Sequence, residues 1–298
     1  MGPFFVLLSA AGFGLMAIFA KLAYAEGAEV SDLLVVRFGL AGAALLAVSV
    51  WTGALRRLDR RTVLAALGMG VFGYAAQAGL YLAAVARVDA SEVALVFCVY
   101  PVLVMVAAVA IGRERFSGRR LAALALAVAG SALVLGGVSS SGGFDVVSSV
   151  LALGSALVYT VYILVGDRVV RDAPAIPLTA LVCVGAFASC LTGSLLTGGP
   201  DLGMTAAGWG WIGVIALVCT VASILLFFGG LARVGPSMAA LLSGIEPVVT
   251  VGAAAAVFGE VLTTAQALGG VLVMAAVVLV QWRSAAPRLV AAPVPERV

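Results

Sequence analysis

The chain contains no histidine, which removes imidazole-based triads and the commonest protein metal ligand from consideration. Charge is scarce too: 10% of the 298 residues are Asp, Glu, Lys or Arg, against about 25% in an average soluble domain. No Gly-x-x-x-x-Gly-Lys-[Ser/Thr] loop occurs, so nothing supports ATP hydrolysis by this chain. The four cysteines (Cys98, Cys183, Cys190 and Cys219) stand inside apolar runs without paired spacing. They read as small core or lipid-facing residues, not as disulfides or a metal site, and no cofactor is expected. A net charge of +3 gives no argument for nucleic acid. What remains is apolar: 63% hydrophobic residues and a mean hydropathy of +1.21. That leaves too little polar sequence to clothe a core in water, so the bilayer must solvate most of the surface.

Apolar runs of about 20 residues, the length needed to cross a bilayer, recur with short polar breaks. They predict ten transmembrane helices, at 4–24, 33–52, 63–86, 90–111, 119–138, 146–166, 176–197, 207–231, 236–258 and 264–282. The first run lacks a basic flank and an A-x-A cleavage site, so it reads as an uncleaved helix. Residues 283–298 turn to Arg, Pro and Ala and read as a disordered tail. Arginine placement sets the orientation. With a cytoplasmic N-terminus, the inner segments gather Arg56, Arg57, Arg60, Arg61, Arg113, Arg115, Arg119, Arg120, Arg168, Arg171, Arg233 and the tail arginines, 14 of the 17 basic residues. Both termini are therefore expected to be cytoplasmic. Sixteen Arg against one Lys, with abundant Ala, Val and Gly, points to a GC-rich bacterial genome and hence to the inner membrane.

Sliding the chain against itself by 146 residues gives a gap-free match, with 12 identities in the 29 positions from 86 to 114. Ala86-Arg87-Val88 and Ser91 meet Ala232-Arg233-Val234 and Ser237; Pro101 meets Pro247; Glu114 meets Glu260. The units are then 1–138 and 146–282. Each holds five helices, an odd number, so the second copy enters the membrane from the opposite side. The expected fold is all-α, ten helices in two inverted five-helix repeats, with a substrate site near the midplane between them.

With Lys21 late in helix 1, Arg37-Phe38 early in helix 2, Tyr100-Pro101 before Gly112-Arg113-Glu114-Arg115-Phe116-Ser117, and Glu246-Pro247 before Phe258-Gly259-Glu260-Val261-Leu262-Thr263, the chain resembles the drug/metabolite transporter superfamily in its ten-helix form of two EamA-type repeats. The resemblance covers essentially the whole chain. It implies export of amino acids, other metabolites or drugs by alternating access, and among the members the chain looks most like exporters of aromatic and other neutral amino acids. Exporters of drugs or nucleoside-like compounds are the alternative, with a channel or a non-transporting membrane protein behind them.

The residues themselves point to a pathway. Tyr74, Gln77 and Tyr81 share one face of helix 3, and their counterparts Thr220, Ser223 and Phe227 share one face of helix 8. Phe97 and Tyr100 in helix 4 correspond to Ser243 and Glu246 in helix 9, and helix 6 adds Tyr159, Thr160 and Tyr162. These residues would bind an amphipathic small molecule, rings giving apolar contact and a few polar groups fixing orientation. The same groups would serve equally as interhelical glue. Pro101 and Pro247 either free carbonyls towards a cavity or kink their helices. Glu246, the acidic residue near the centre of a span, either contacts a substrate ammonium or couples proton movement, or else is a protonated carboxyl bonded to a neighbouring helix. Lys21 and Arg37, a turn or two from the outer surface, are expected to snorkel or to pair with Glu26, Glu29 or Asp32, and are candidates for an outer gate. Glu114 and Glu260 read as structural, with Ser117 and a Thr263-x-x-Gln266 capping box starting the helices that follow. An inverted repeat supplies both gates in one chain, so a monomer suffices and a dimer stays open.

Overall fold

The computed structural model describes residues 1–112, 118–140, 145–169, 174–234 and 242–281, and the regular structure of the described residues is all helical, with no strand. The elements are α1 (Gly2–Gly14), α2 (Met16–Ala25), α3 (Val30–Trp51), α4 (Arg60–Gly68), α5 (Ala75–Val85), α6 (Ala90–Phe97), α7 (Tyr100–Ala110), α8 (Gly118–Ser140), α9 (Val146–Val169), α10 (Ala175–Leu196), α11 (Ala206–Ala216), α12 (Ser223–Val234), α13 (Glu246–Phe258) and α14 (Thr264–Gln281). Several are pieces of one span. Joined, they give seven helical stretches long and apolar enough to cross a membrane, with three shorter apolar helices at Leu121–Val134, Glu246–Phe258 and Thr264–Leu279.

Local chemistry explains the starts. The Asp59 carboxylate accepts from the Thr62 N–H at 3.4 Å and caps α4, and the Thr205 hydroxyl accepts from Gly208 at 3.2 Å and caps α11. Glu29 and Asp32 form a reciprocal box at the head of α3. The Thr263–Gln266 box forms as expected, with bonds of 2.8 and 3.2 Å at the head of α14. Glu114, Ser117, Ser237 and the tail 283–298 lie outside the described residues.

The spans read as continuous in the sequence contain breaks. A two-residue turn at Cys98–Val99 parts α6 from α7, and another at Gly244–Ile245 precedes α13. These turns lie 146 residues apart. Each is followed by a proline in the first turn of the next half-helix, where a missing N–H leaves no donor unused. Two further spans pass through π-helical segments, Met69–Tyr74 between α4 and α5 and Leu217–Ala222 between α11 and α12. The offset there is 148 residues. α1 and α2 are parted at Leu15, while α9 runs unbroken through the equivalent position.

Packing is close wherever small residues meet. α8 runs along α14, α3 along α10, α1 against α12 and α5 against α9. At the α8–α14 crossing, a Cβ added at Gly130 would lie 2.7 Å from the Gly269 carbonyl oxygen. Backbone thus touches backbone, and Ala123 and Ala127 keep the rest of that face low. The largest buried cluster joins α2, α3, α5, α6 and α11, with Phe38, Leu33, Leu45, Leu82 and Ile212 fully enclosed.

Candidate functional site

An aromatic cluster is the first feature of the site. Tyr81 meets Phe97 edge-on at 5.2 Å, Phe97 meets Tyr100 at 5.1 Å and Tyr159 at 5.6 Å, and Tyr100 meets Tyr159 at 4.9 Å. Tyr159 stacks on Tyr162, and Tyr162 on Tyr74, each at 5.9 Å; Tyr74 then meets Phe38 at 5.2 Å. Six rings from α5, α6, α7, α9 and the π segment therefore join into one cluster reaching α3. Tyr159 and Tyr162 both take part because residues three apart share a helix face. Phe38 gives no such signal in the sequence, where it stands out only beside Arg37 as part of the family-like pair early in helix 2.

Glu246 lies near this cluster. It is half-buried at the first residue of α13, and its carboxylate is near enough to Tyr74, Tyr81, Tyr100 and Tyr159 to act on each electrostatically. No Lys or Arg lies within 4.0 Å of it among the described residues. Helix α1 comes up close behind: a Cβ on Gly14 would lie 2.7 Å from the Glu246 carbonyl oxygen, and the Thr250 hydroxyl donates to the Gly14 carbonyl at 2.8 Å.

The remaining predicted residues divide. Gln77 is buried and donates to Ser155 of α9 at 3.2 Å, while the Ser155 hydroxyl returns a 3.1 Å bond to the Gln77 carbonyl. Thr220 and Ser223 are buried in and beside the second π segment, donating at 2.9 Å to the carbonyls of Ile215 and Val218, five residues back. Ser9 of α1 donates to the Ser223 carbonyl at 2.7 Å. The Val218 carbonyl thus accepts from both the backbone N–H and the hydroxyl of Ser223, the five-residue spacing being that of a π turn. Phe227 meets Phe228 at 5.5 Å and Ser243 is half-buried before the Gly244 turn; neither joins the aromatic cluster.

Lys21 and Arg37 differ from expectation. Arg37 does not snorkel and pairs with none of Glu26, Glu29 and Asp32; it is 2% exposed, about 10 Å inside α3. Its Nε donates to Thr220 Oγ1 at 3.1 Å and its Nη2 to the Tyr74 hydroxyl at 3.2 Å. These two partners are 146 residues apart, equivalent positions of the duplicated sequence. The guanidinium also rests over the Phe38 and Tyr74 rings, at 5.1 and 6.0 Å. Hydroxyls and ring faces thus offset part of a burial cost of about 2.5–3.5 kcal/mol for an arginine at mid-membrane. Asp32 is unavailable to it, being wholly buried and accepting from the backbone N–H groups of Glu29 and Asp201 at 3.3 and 3.0 Å.

Lys21 reaches Glu260 at 3.0 Å and Asp89 at 3.5 Å, again not Glu26, Glu29 or Asp32. Glu260 follows the left-handed Gly259 (φ +68°) that closes α13, a conformation that favours glycine. Its carboxylate also accepts from the N–H groups of Ala90 and Ser91, both at 3.1 Å, and from the Ser91 hydroxyl at 2.6 Å. It therefore caps α6 from the far end of the chain. Burial raises the Glu260 pKa, but the bonds from Ser91 and Lys21 outweigh that and hold the carboxyl below its ordinary range.

Beside the cluster runs an apolar groove of about 630 Å³, between Ala65–Gly73 and the Leu157–Val165 stretch of α9. Tyr162 belongs to both groove and cluster. Among the described residues no group of His, Cys, Asp or Glu could hold a metal ion.

Comparison with known proteins agrees with a transport role. The chain is 25% identical over 248 residues to the uncharacterized transporter YyaM of Bacillus subtilis (strain 168), covering 80% of each chain. It is 28% identical over 276 residues to the uncharacterized transporter YcbK of the same organism, covering 90% of this chain and 88% of that one. A solved structure described only as "Crystal structure of protein" shares the fold with a TM-score of 0.63 at 19% identity, over 94% of this chain and 99% of that one. The model of the EamA-like transporter family matches twice, over residues 1–136 and again over 147–282. Helices of membrane length and a family match spanning both halves make this chain a multi-pass membrane transporter that belongs to the EamA-like transporter family.

Proposed function

We propose that this protein exports neutral and aromatic amino acids by alternating access, through a midplane cavity between two inverted five-helix repeats. The observation that carries the reading is the aromatic cluster with the Arg37 guanidinium and the Glu246 carboxyl group near it. Rings with hydroxyls suit an amphipathic side chain, Glu246 suits an ammonium group, and neither Glu246 nor Arg37 has an ion-pair partner within 4.0 Å among the described residues. The inverted arrangement is supported by the paired turns at Cys98–Val99 and Gly244–Ile245, by the paired π segments, and by the packing partners. Numbering the spans one to ten, the 1–8 and 3–6 contacts exchange when five is added to one copy and subtracted from the other. Lys21, paired with Asp89 in its own repeat, reaches across to Glu260 of the second, and this clamp serves as the outer gate. The arginine distribution supports a bacterial inner-membrane protein with both termini in the cytoplasm.

The test is uptake of a labelled amino-acid panel into proteoliposomes, with and without a pH gradient, for wild type and Glu246→Gln. Saturable uptake of neutral or aromatic amino acids is expected, with pH sensitivity lost in the variant. If a folded protein takes up no amino acid, the reading fails and export of drug-like or nucleoside-like amphipaths replaces it. The groove at Tyr162 is the feature that favours this second reading, since it leads from an exposed apolar helix face to the cluster.

A further inference from the structure

Arg37 has one more donor than its surroundings can use. Its Nε and Nη2 donate to Thr220 and Tyr74, but Nη1 is enclosed and has no acceptor among the described residues. Both bonded acceptors are neutral hydroxyls, and no carboxylate lies within 4.0 Å of the guanidinium among the described residues. A helix tie alone could be made by a neutral side chain without burying a charge and orphaning a donor. The two hydroxyls fix the plane of the guanidinium and leave its Nη1–Nη2 end, the fork that matches a carboxylate with two parallel bonds, short of a charged partner.

The surroundings say where that partner would come from. Tyr74 touches the guanidinium on one side and Tyr162 of the aromatic cluster on the other, and it is half-buried where Arg37 is enclosed. Tyr74 thus joins the guanidinium to the chain of rings that runs through Tyr162 and Tyr159 to Tyr100. We propose that Arg37 is the carboxylate-recognition residue of the transport site, reached when a substrate carboxylate displaces the Tyr74 hydroxyl from the guanidinium. The bound solute then spans from Arg37 towards Glu246 with its apolar part on the cluster, which selects zwitterions over amines. This inference rests on the amino-acid reading, and the experiment separates the two.

The experiment measures binding by melting-temperature titration of the purified full-length protein, which any ligand of the folded state moves. The probes are phenylalanine, phenylalaninamide (no carboxylate) and 3-phenylpropionate (no ammonium). For wild type, the amide should bind at least about ten-fold more weakly than the amino acid, each factor of ten being about 1.4 kcal/mol. In Arg37→Gln that ratio should fall to within about two-fold and 3-phenylpropionate should lose its binding, while Arg37→Lys restores part of the ratio as a point charge does. An unchanged ratio in Arg37→Gln, with all three ligands weakened alike, overturns the assignment. Should Arg37→Gln not fold, Thr220→Val removes one anchor of the fork, and a ratio equal to wild type there has the same force. Binding of 3-phenylpropionate that depends on Arg37, without binding of any amino acid, sinks the amino-acid reading and leaves the carboxylate site. Wild type that binds no carboxylate compound overturns the site itself.

Discussion

Glu260→Gln exchanges one carboxylate oxygen for an amide NH2 where every neighbour is a donor. Oε1 accepts from Lys21 and from the Ala90 N–H, and Oε2 from the Ser91 N–H and hydroxyl. Whichever way the amide turns, its NH2 faces at least one backbone N–H that cannot reverse its polarity. The Glu260 side chain is 6% exposed and Lys21 is 22% exposed, so water offers little substitution on the acidic side. Losing the charge-assisted character of the bonds costs about 1.5–3 kcal/mol, and one orphaned N–H about 1–3 kcal/mol. Water at Lys21 screens part of this, leaving roughly 3 kcal/mol. In a thermal assay that is a melting temperature lower by roughly 5–10 °C.

The pH dependence has a definite sign. Glu260 is held below the usual carboxylate range in the folded protein, so its contribution is present above the unfolded pKa and lost as pH falls through the lower folded one. The gap between wild type and Glu260→Gln should be constant from neutral pH down to about 5 and shrink below about 4.3. Combining the variant with Lys21→Met should cost less than the two singles together, because they share one interaction. A melting temperature within a degree or two of wild type, or a gap that widens in acid, would refute the clamp as drawn.

Gly269→Val drives a branched side chain into the Gly130 carbonyl and the neighbouring Val134 backbone, so folded yield in detergent should drop several-fold by size-exclusion chromatography. Glu246→Gln should leave the fold intact by melting temperature and flatten the pH dependence of transport; an unchanged profile removes the carboxyl from coupling. Tyr159→Leu takes away a ring that touches Phe97, Tyr100 and Tyr162, and should raise the transport KM for aromatic solutes several-fold more than for alanine, measured by competition. Gln77→Leu breaks a bond between α5 and α9 and should lower stability by about 1 kcal/mol with substrate preference unchanged.

What the sequence made legible was local or periodic. Apolar runs announce the helices, the Thr263–Gln266 spacing announces a cap that forms, and Tyr159 and Tyr162 of helix 6 are candidates that both join the cluster. The 146-residue offset pointed to Pro101 and Pro247 as equivalents, and the turns before them fall at that same offset. Distance along a helix misled for Arg37: counting turns gives depth, but whether a long side chain climbs to the interface depends on the hydroxyls beside it. Those hydroxyls sit 37 and 183 residues away. Glu260 was read as structural, yet its partners at Lys21, Ala90 and Ser91 lie beyond any local pattern. The π segments left no mark either, since an extra residue in a turn changes hydrogen bonding without changing composition.

The glycine seam between α8 and α14 has a practical corollary for anyone measuring motion in this protein. Where main chains touch with no side chains between them, sliding or tilting would force atoms together at once, so the pair behaves as one rigid strut. Spectroscopic labels placed one on each helix, at exposed positions such as Leu121 and Leu268, should report a separation that holds still through a transport cycle. That fixed length is an internal ruler, and displacements of every other helix can be expressed against it.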